Sequence, residues 1–210
     1  MTKRALIVVD LQKDFLPGGA LPVTQADELI LPIHRLLALP FDLHLACKDW
    51  HPSNHVSFAA SHPGRHEGEV IALESGELQK LWPIHCLQNS EGASLAPGLE
   101  SDRFDALFYK GIDPSIDSYG CFYDNGHLRS TGMAEYLKEA AIEQLFFAGV
   151  ATDYCIRYSV IDGIACGFAC YLISDCCRGV APETSQQALE AMEAAGASIV
   201  MASQVEALMK

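Results

Sequence analysis

At 210 residues, half of them hydrophobic, the chain is long enough for one sizeable core and too short for two comfortable domains. Its 14 Lys and Arg face 27 Asp and Glu, and a net charge of −13 repels a phosphate backbone, which argues against nucleic acid as a partner. The apolar run behind the basic start stops at Asp10, too short for a signal segment or a membrane span. A cytosolic protein without membrane contact is therefore expected, with its eight cysteines reduced. The sequence leaves a homo-oligomer open.

Apolar runs of strand length stand at residues 5–9, 43–47, 106–109, 145–150, 169–173 and 199–201. Stretches with helical spacing lie between several of them, at 26–39, 133–143, 153–165 and 182–195. This alternation predicts one α/β domain over residues 1–210: three layers, a six-stranded, mostly parallel sheet with helices on both faces. The segment at about 48–101 breaks the rhythm with Pro, Gly, His and Ser, and at most one short helix is expected in it, around 76–81. Loops of that length in a compact domain tend to carry function.

Asp10, Lys110 and Cys155 each stand at or just beyond the end of a predicted strand. In an open parallel sheet the carboxyl ends of the strands face one crevice, so an acid, an amine and a thiol can converge there. A carboxylate takes a proton, a cysteine attacks carbon, and a lysine favours the thiolate. The run Gly149-Val150-Ala151-Thr152-Asp153-Tyr154-Cys155 reads as strand, turn and helix start, with Thr152 or Asp153 as cap. Cys155 in a first helical turn is expected below its free pKa, and the same N–H groups suit an oxyanion.

In the long segment, Asp49 and His51 alternate onto one side of an extended chain, and His85 follows in Trp82-Pro83-Ile84-His85-Cys86. Two imidazoles and a carboxylate suit one divalent ion, Zn²⁺ first, Fe²⁺ or Mn²⁺ as alternatives, with positions left open for water or substrate. Asp-x-His alone is a weak signal; it gains weight because the three candidates share a loop with both tryptophans, Trp50 and Trp82. His55 stays open between a fourth ligand, a neighbour of the ligands and an exposed side chain.

These residues sit in segments that together resemble the nicotinamidase family of isochorismatase-like cysteine hydrolases over nearly the whole chain. The segments are Val9-Asp10-Leu11-Gln12-Lys13-Asp14-Phe15, Lys48-Asp49-Trp50-His51-Pro52, Leu81-Trp82-Pro83-Ile84-His85-Cys86, Tyr109-Lys110-Gly111-Ile112-Asp113-Pro114 and Gly149 to Cys155. The resemblance implies a triad of Asp10, Lys110 and Cys155, and a metal held by Asp49, His51 and His85. It also implies a cis Val150-Ala151 bond, with an oxyanion hole from the N–H groups of Ala151 and Cys155. A pyridine ring with its nitrogen on the metal would contact Phe15, Trp82 and Tyr119. The implied reaction is hydrolysis of nicotinamide to nicotinate and ammonia, with pyrazinamide accepted as well; a superfamily amidase for another small amide is the alternative. Gly120-Cys121 after Tyr119 departs from the family pattern, as does Cys176 before Cys177-Arg178-Gly179, and both bear on pocket shape.

Overall fold

The computed structural model describes residues 2–209. The strands in chain order are β1 (Lys3–Val9), β2 (Leu43–Asp49), β3 (Val70–Ala72), β4 (Leu78–Lys80), β5 (Ala106–Lys110), β6 (Ile142–Val150), β7 (Ala169–Arg178) and β8 (Ser198–Val200). Six of them form one sheet in the order β5-β2-β1-β6-β7-β8, every pair parallel. The helices are α1 (Ile30–Leu36), α2 (Met133–Glu139), α3 (Arg157–Ala165), α4 (Pro182–Ala195) and α5 (Ala202–Leu208).

The central strand β1 shows how the sequence builds two faces. Leu6 and Val8 pack into a core with Ile33 and Leu36 of α1 and Val205 of α5. Ala5, Ile7 and Val9 face a second core with Leu137 of α2, Val160 of α3 and Met192 of α4. Alternate side chains leave a strand on opposite faces, so a strand covered on both sides reads as one unbroken apolar run. The result is the three-layer α/β domain the alternation of elements predicts.

Order in the sheet reverses at β1. The chain moves outward through β2 and β5, then returns to the other side of β1 with β6, β7 and β8. The crevice outside the carboxyl ends of β1 and β6 is therefore the topological switch point, where open α/β sheets bind ligands. The two strands touch closely there: Gly149 sits at φ +126°, and a Cβ on it would collide with the Val9 carbonyl.

Some boundaries differ from expectation. The 26–39 stretch is a 3₁₀ turn (Ala26–Leu29) followed by α1, because Pro32 lacks an N–H and is tolerated only in a first helical turn. The 133–143 stretch ends as helix at Glu139, with Ala141 left-handed at φ 57° before β6 begins. No helix forms at 76–81: β3 and β4 pair as an antiparallel hairpin. Gln79 and Leu81 are buried while Leu78 is 77% exposed and Lys80 partly so, an alternation of period two that puts residues i and i+2 on one side as a helix does not. β7 runs on to Arg178, so Cys176 and Cys177 are strand residues, and α5 follows β8 where no helix was predicted. All eight cysteines are free. Among the described residues no helix is long and apolar enough to cross a membrane.

Candidate active site

Asp10 is the first residue past β1. Its backbone turns left-handed (φ 50°) while its N–H still donates to the Cys47 carbonyl at 2.9 Å. The side chain is completely buried, and Lys110 Nζ, from the end of β5, lies 2.9 Å from Oδ2. That contact is a buried ion pair, and the Cys155 thiol stands close to the same carboxyl. Lys110 is itself 1% exposed. Besides Asp10 its ammonium meets Asp49 Oδ1, the Ser118 carbonyl at 3.3 Å and Cys155 Sγ at 3.4 Å. The structure thus brings the three strand-end residues together, and adds Asp49 to them as a second counter-ion that sequence reading assigned only to metal.

Charges buried this deeply are tolerable only as a paired set. Burial drives the Asp10 carboxyl up to about 7, against the downward pull of Lys110. For Lys110, burial works against its charge, but Asp10 and Asp49 outweigh it and hold the ammonium well above the usual lysine range. Burial likewise opposes the charge on Asp49, yet Lys110 and then His51 keep that carboxyl well below the usual range.

Cys155 departs from expectation. Residues Thr152–Ile156 form one wide π turn ahead of α3, and burial pushes the Cys155 thiol well above its ordinary value. Lys110 opposes that shift, while Asp10 and Asp49 add to it. A helix start stabilises a thiolate by a fraction of a charge; two carboxylates and loss of water act more strongly here. The thiol is accordingly held protonated beside a carboxyl poised near neutrality. Asp10, Asp49 and Cys155 place one donor atom each within 4.8 Å of one another.

The expected cap differs too. Neither Thr152 nor Asp153 caps its own helix. Asp153, 4% exposed, instead accepts from Val180 N–H (2.9 Å), Ala181 N–H (3.2 Å) and the Thr184 hydroxyl (2.5 Å), tying the cysteine-bearing turn to the start of α4. The Val150-Ala151 peptide bond is cis. Ala151 and Cys155 both border the cleft.

Asp49, His51 and His85 come together as a second group, with donor atoms within 4.8 Å of one another. Asp49 Oδ2 stands 3.6 Å from His51 Nε2 and 3.7 Å from His85 Nε2. Each imidazole gives its other N–H to a carbonyl, His51 Nδ1 to Gly111 at 2.9 Å and His85 Nδ1 to Pro83 at 2.8 Å. A ring whose Nδ1–H is fixed this way offers its Nε2 lone pair, the arrangement metal-binding histidines use. Gly111 at φ +62° lets the backbone approach: a Cβ there would meet the His51 ring. Both rings and the carboxylate are buried, so the donor set fits a divalent ion.

His55 lies outside that trio. Its ring is 4.2 Å from His51, its Nδ1 is 2.7 Å from Ser57 Oγ, and its Nε2 is buried. Burial and then His51 push its pKa down to about 4, so the ring is neutral. With His51 and Asp117 it makes another close donor group.

The cleft above these residues is lined by Phe15, Trp82 and Tyr119, the three expected contacts. Sequence reading missed Val23, Tyr154 and Asp117, which also line it. Tyr154 stood in plain view one residue before Cys155, whereas nothing local distinguishes Val23. Gln12 was missed as well: its amide accepts from Asp49 N–H (2.8 Å) and donates to the Asp49 carbonyl (2.8 Å) and the Ala93 carbonyl (3.0 Å). A glutamine two residues after a strand-end aspartate carries no such signal without the neighbouring strand.

Residues 4–204 match the family model for the isochorismatase domain. The chain is 41% identical to the nicotinamidase of Escherichia coli (strain K12), covering 95% of both chains. Among solved structures, a nicotinamidase/pyrazinamidase of Acinetobacter baumanii superposes with a TM-score of 0.93 at 37% identity, over 98% of this chain and 99% of the other. The pyrazinamidase of Pyrococcus horikoshii, solved in complex with zinc, gives a TM-score of 0.77 at 34% identity, over 95% and 99%.

Proposed function

The chain belongs to the isochorismatase family of hydrolases, and from that premise we propose that it is a metal-dependent cysteine amidohydrolase converting nicotinamide to nicotinate and ammonia. Pyrazinamide, an aromatic amide of the same shape, is accepted in the same cleft. The observation that carries this reading is the meeting of Asp10, Lys110 and Cys155 beside three buried metal donors at one end of an aromatic slot. A neutral heteroaromatic amide needs such an apolar slot with a few directed polar groups.

Asp10 accepts the Cys155 proton as the sulfur attacks the amide carbon, forming the C–S bond. A base near neutrality serves this step, because a sizeable share of it is ionised at neutral pH and it is still basic enough to pull. Lys110 remains charged throughout and steadies the Asp10 carboxylate before transfer and the sulfur during it. The N–H groups of Ala151 and Cys155 receive the developing oxyanion. Asp10 then returns the proton to the amide nitrogen, the C–N bond breaks, and ammonia leaves a thioester. A water gives a proton to Asp10 as its oxygen attacks that thioester; the C–S bond breaks as Asp10 passes that proton to the Cys155 sulfur, and the acid product loses its proton to solvent and departs as the carboxylate. Asp49, His51 and His85 would hold the divalent ion, zinc by their chemistry, and when bound it supplies a Lewis acid that anchors and polarises the substrate.

The test is ammonia release from nicotinamide by the purified protein, with parallel samples treated with a chelator and with a thiol alkylator. Release lost under both treatments is the expected result. No release from a protein that carries metal and one fast-reacting thiol would overturn the substrate assignment.

A further inference from the structure

Among the described residues the hairpin β3–β4 pairs with itself alone, outside the six-stranded sheet. Within it Gln79 is turned inward, its amide donating to Asp117 Oδ2 at 2.8 Å. The next residue, Lys80, leaves on the opposite side and reaches the back of the aromatic slot. Its Nζ donates to the Tyr154 hydroxyl at 2.9 Å, and stands 4.7 Å from the Trp82 ring centroid and 5.3 Å from that of Tyr154. Among the described residues no carboxylate pairs with it, although acidic residues outnumber basic ones about two to one.

The rings Lys80 touches form one wall. Trp82 and Tyr154 meet edge to face at 5.0 Å and 83°, Tyr119 lies 5.5 Å from Tyr154, and the Trp82 indole N–H donates to the Tyr119 hydroxyl at 3.1 Å. Tyr154 immediately precedes Cys155, so its ring angle decides how far the slot opens beside the thiol. A half-buried tyrosine with no anchor for its hydroxyl has freedom to swing; an ammonium that donates to the hydroxyl while it attracts the Trp82 ring removes it.

Resting on the amidase reading of the cleft, we propose that Lys80 is a positioning residue that sets substrate specificity. It locks the Trp82–Tyr154 wall so that the slot selects flat heteroaromatic amides over aliphatic ones. Lys80 is not among the residues that border the cleft, so its influence passes through Tyr154 and Trp82. The effect belongs to ground-state binding: KM rises when the wall loosens and kcat stays.

The test compares Lys80→Met, Lys80→Arg and Tyr154→Phe by steady-state kinetics with nicotinamide and isobutyramide. Lys80→Met is expected to raise KM for nicotinamide about five-fold with kcat within about two-fold, and to narrow its advantage over isobutyramide. Lys80→Arg, which keeps the charge and the donor, restores KM to within about two-fold. Tyr154→Phe raises KM to a similar extent and adds nothing on top of Lys80→Met, which keeps the question answerable if one variant fails to fold. An unchanged KM in Lys80→Met, an Arg variant no better than Met, or a fall in kcat alone overturns the proposal. A wild type that hydrolyses nothing sinks the amidase reading instead. Tryptophan quenching by nicotinamide then still reports on Lys80, with about five-fold weaker binding expected in Lys80→Met. Equal binding by the two proteins overturns the role of Lys80, and no saturable binding by the wild type overturns both.

Discussion

Two regions meet in the cleft and are built on opposite principles. Asp10 and Lys110 stand at the ends of strands in the buried sheet, and both are 1% exposed or less. Trp82, Tyr119 and Tyr154 hang on loops and a turn, held by ring contacts and single hydrogen bonds. The sheet supplies what chemistry needs, charges fixed against one another without water between them. The loops supply what recognition needs, a surface whose shape depends on a few side chains. The comparison teaches that altering the first region should change turnover or stability, and altering the second should change affinity.

The largest effect is expected from Cys155→Ala. Removing a nucleophile typically costs on the order of 10⁴-fold or more in kcat. Ammonia release should vanish while metal analysis still finds one ion per chain, and retained turnover would exclude the covalent route. Asp10→Asn keeps the shape but cannot accept a proton. A loss of roughly 10²- to 10⁴-fold in kcat with little change in KM is expected from steady-state kinetics; near-normal kcat removes Asp10 as the base.

Lys110→Met asks whether the cluster also holds the fold. It leaves Asp10 and Asp49 as two buried carboxylates without their shared cation, and breaking such a set costs about 3–5 kcal/mol. Urea unfolding of the two proteins measures it, and a variant as stable as wild type would show that the pair is compensated elsewhere. Removal of metal sits on the boundary, since Asp49 ends a strand while His51 and His85 lie in loops. Chelation should lower kcat/KM by more than about ten-fold, restored by added Zn²⁺, for an ion that both anchors and polarises.

The smallest effect is expected at Phe15, which packs edge-on to His85 at 5.6 Å. Phe15→Leu keeps an apolar wall but loses the ring, and KM should rise about five-fold at nearly constant kcat. A fall in kcat matching that of Asp10→Asn would break the division between chemistry in the sheet and recognition in the loops.

Much of the molecule is legible in the sequence because the signals are short-range. A strand buried on both faces must be an unbroken apolar run, so residues 5–9 and 145–150 announce the centre of the sheet, and the polar residues just past such runs announce the crevice. Asp49 and His51 are two residues apart on an extended chain, so their shared side follows from alternation alone. Tertiary structure decided what depends on partners far along the chain. Asp153 looks like a cap for its own helix, and only the approach of residues 180–184 gives it better donors. Residues 76–81 carry too weak a period to separate helix from strand, and the burial of Gln79 against Asp117 settles it. A helix start alone predicts a low value for the Cys155 thiol, and it lies high, because desolvation and the summed charge of Asp10 and Asp49 arise only when three strand ends are packed together. Periodicity and turn chemistry act over a few residues and are written in the sequence; burial and electrostatics sum over everything nearby in space, and exist only once the chain has folded.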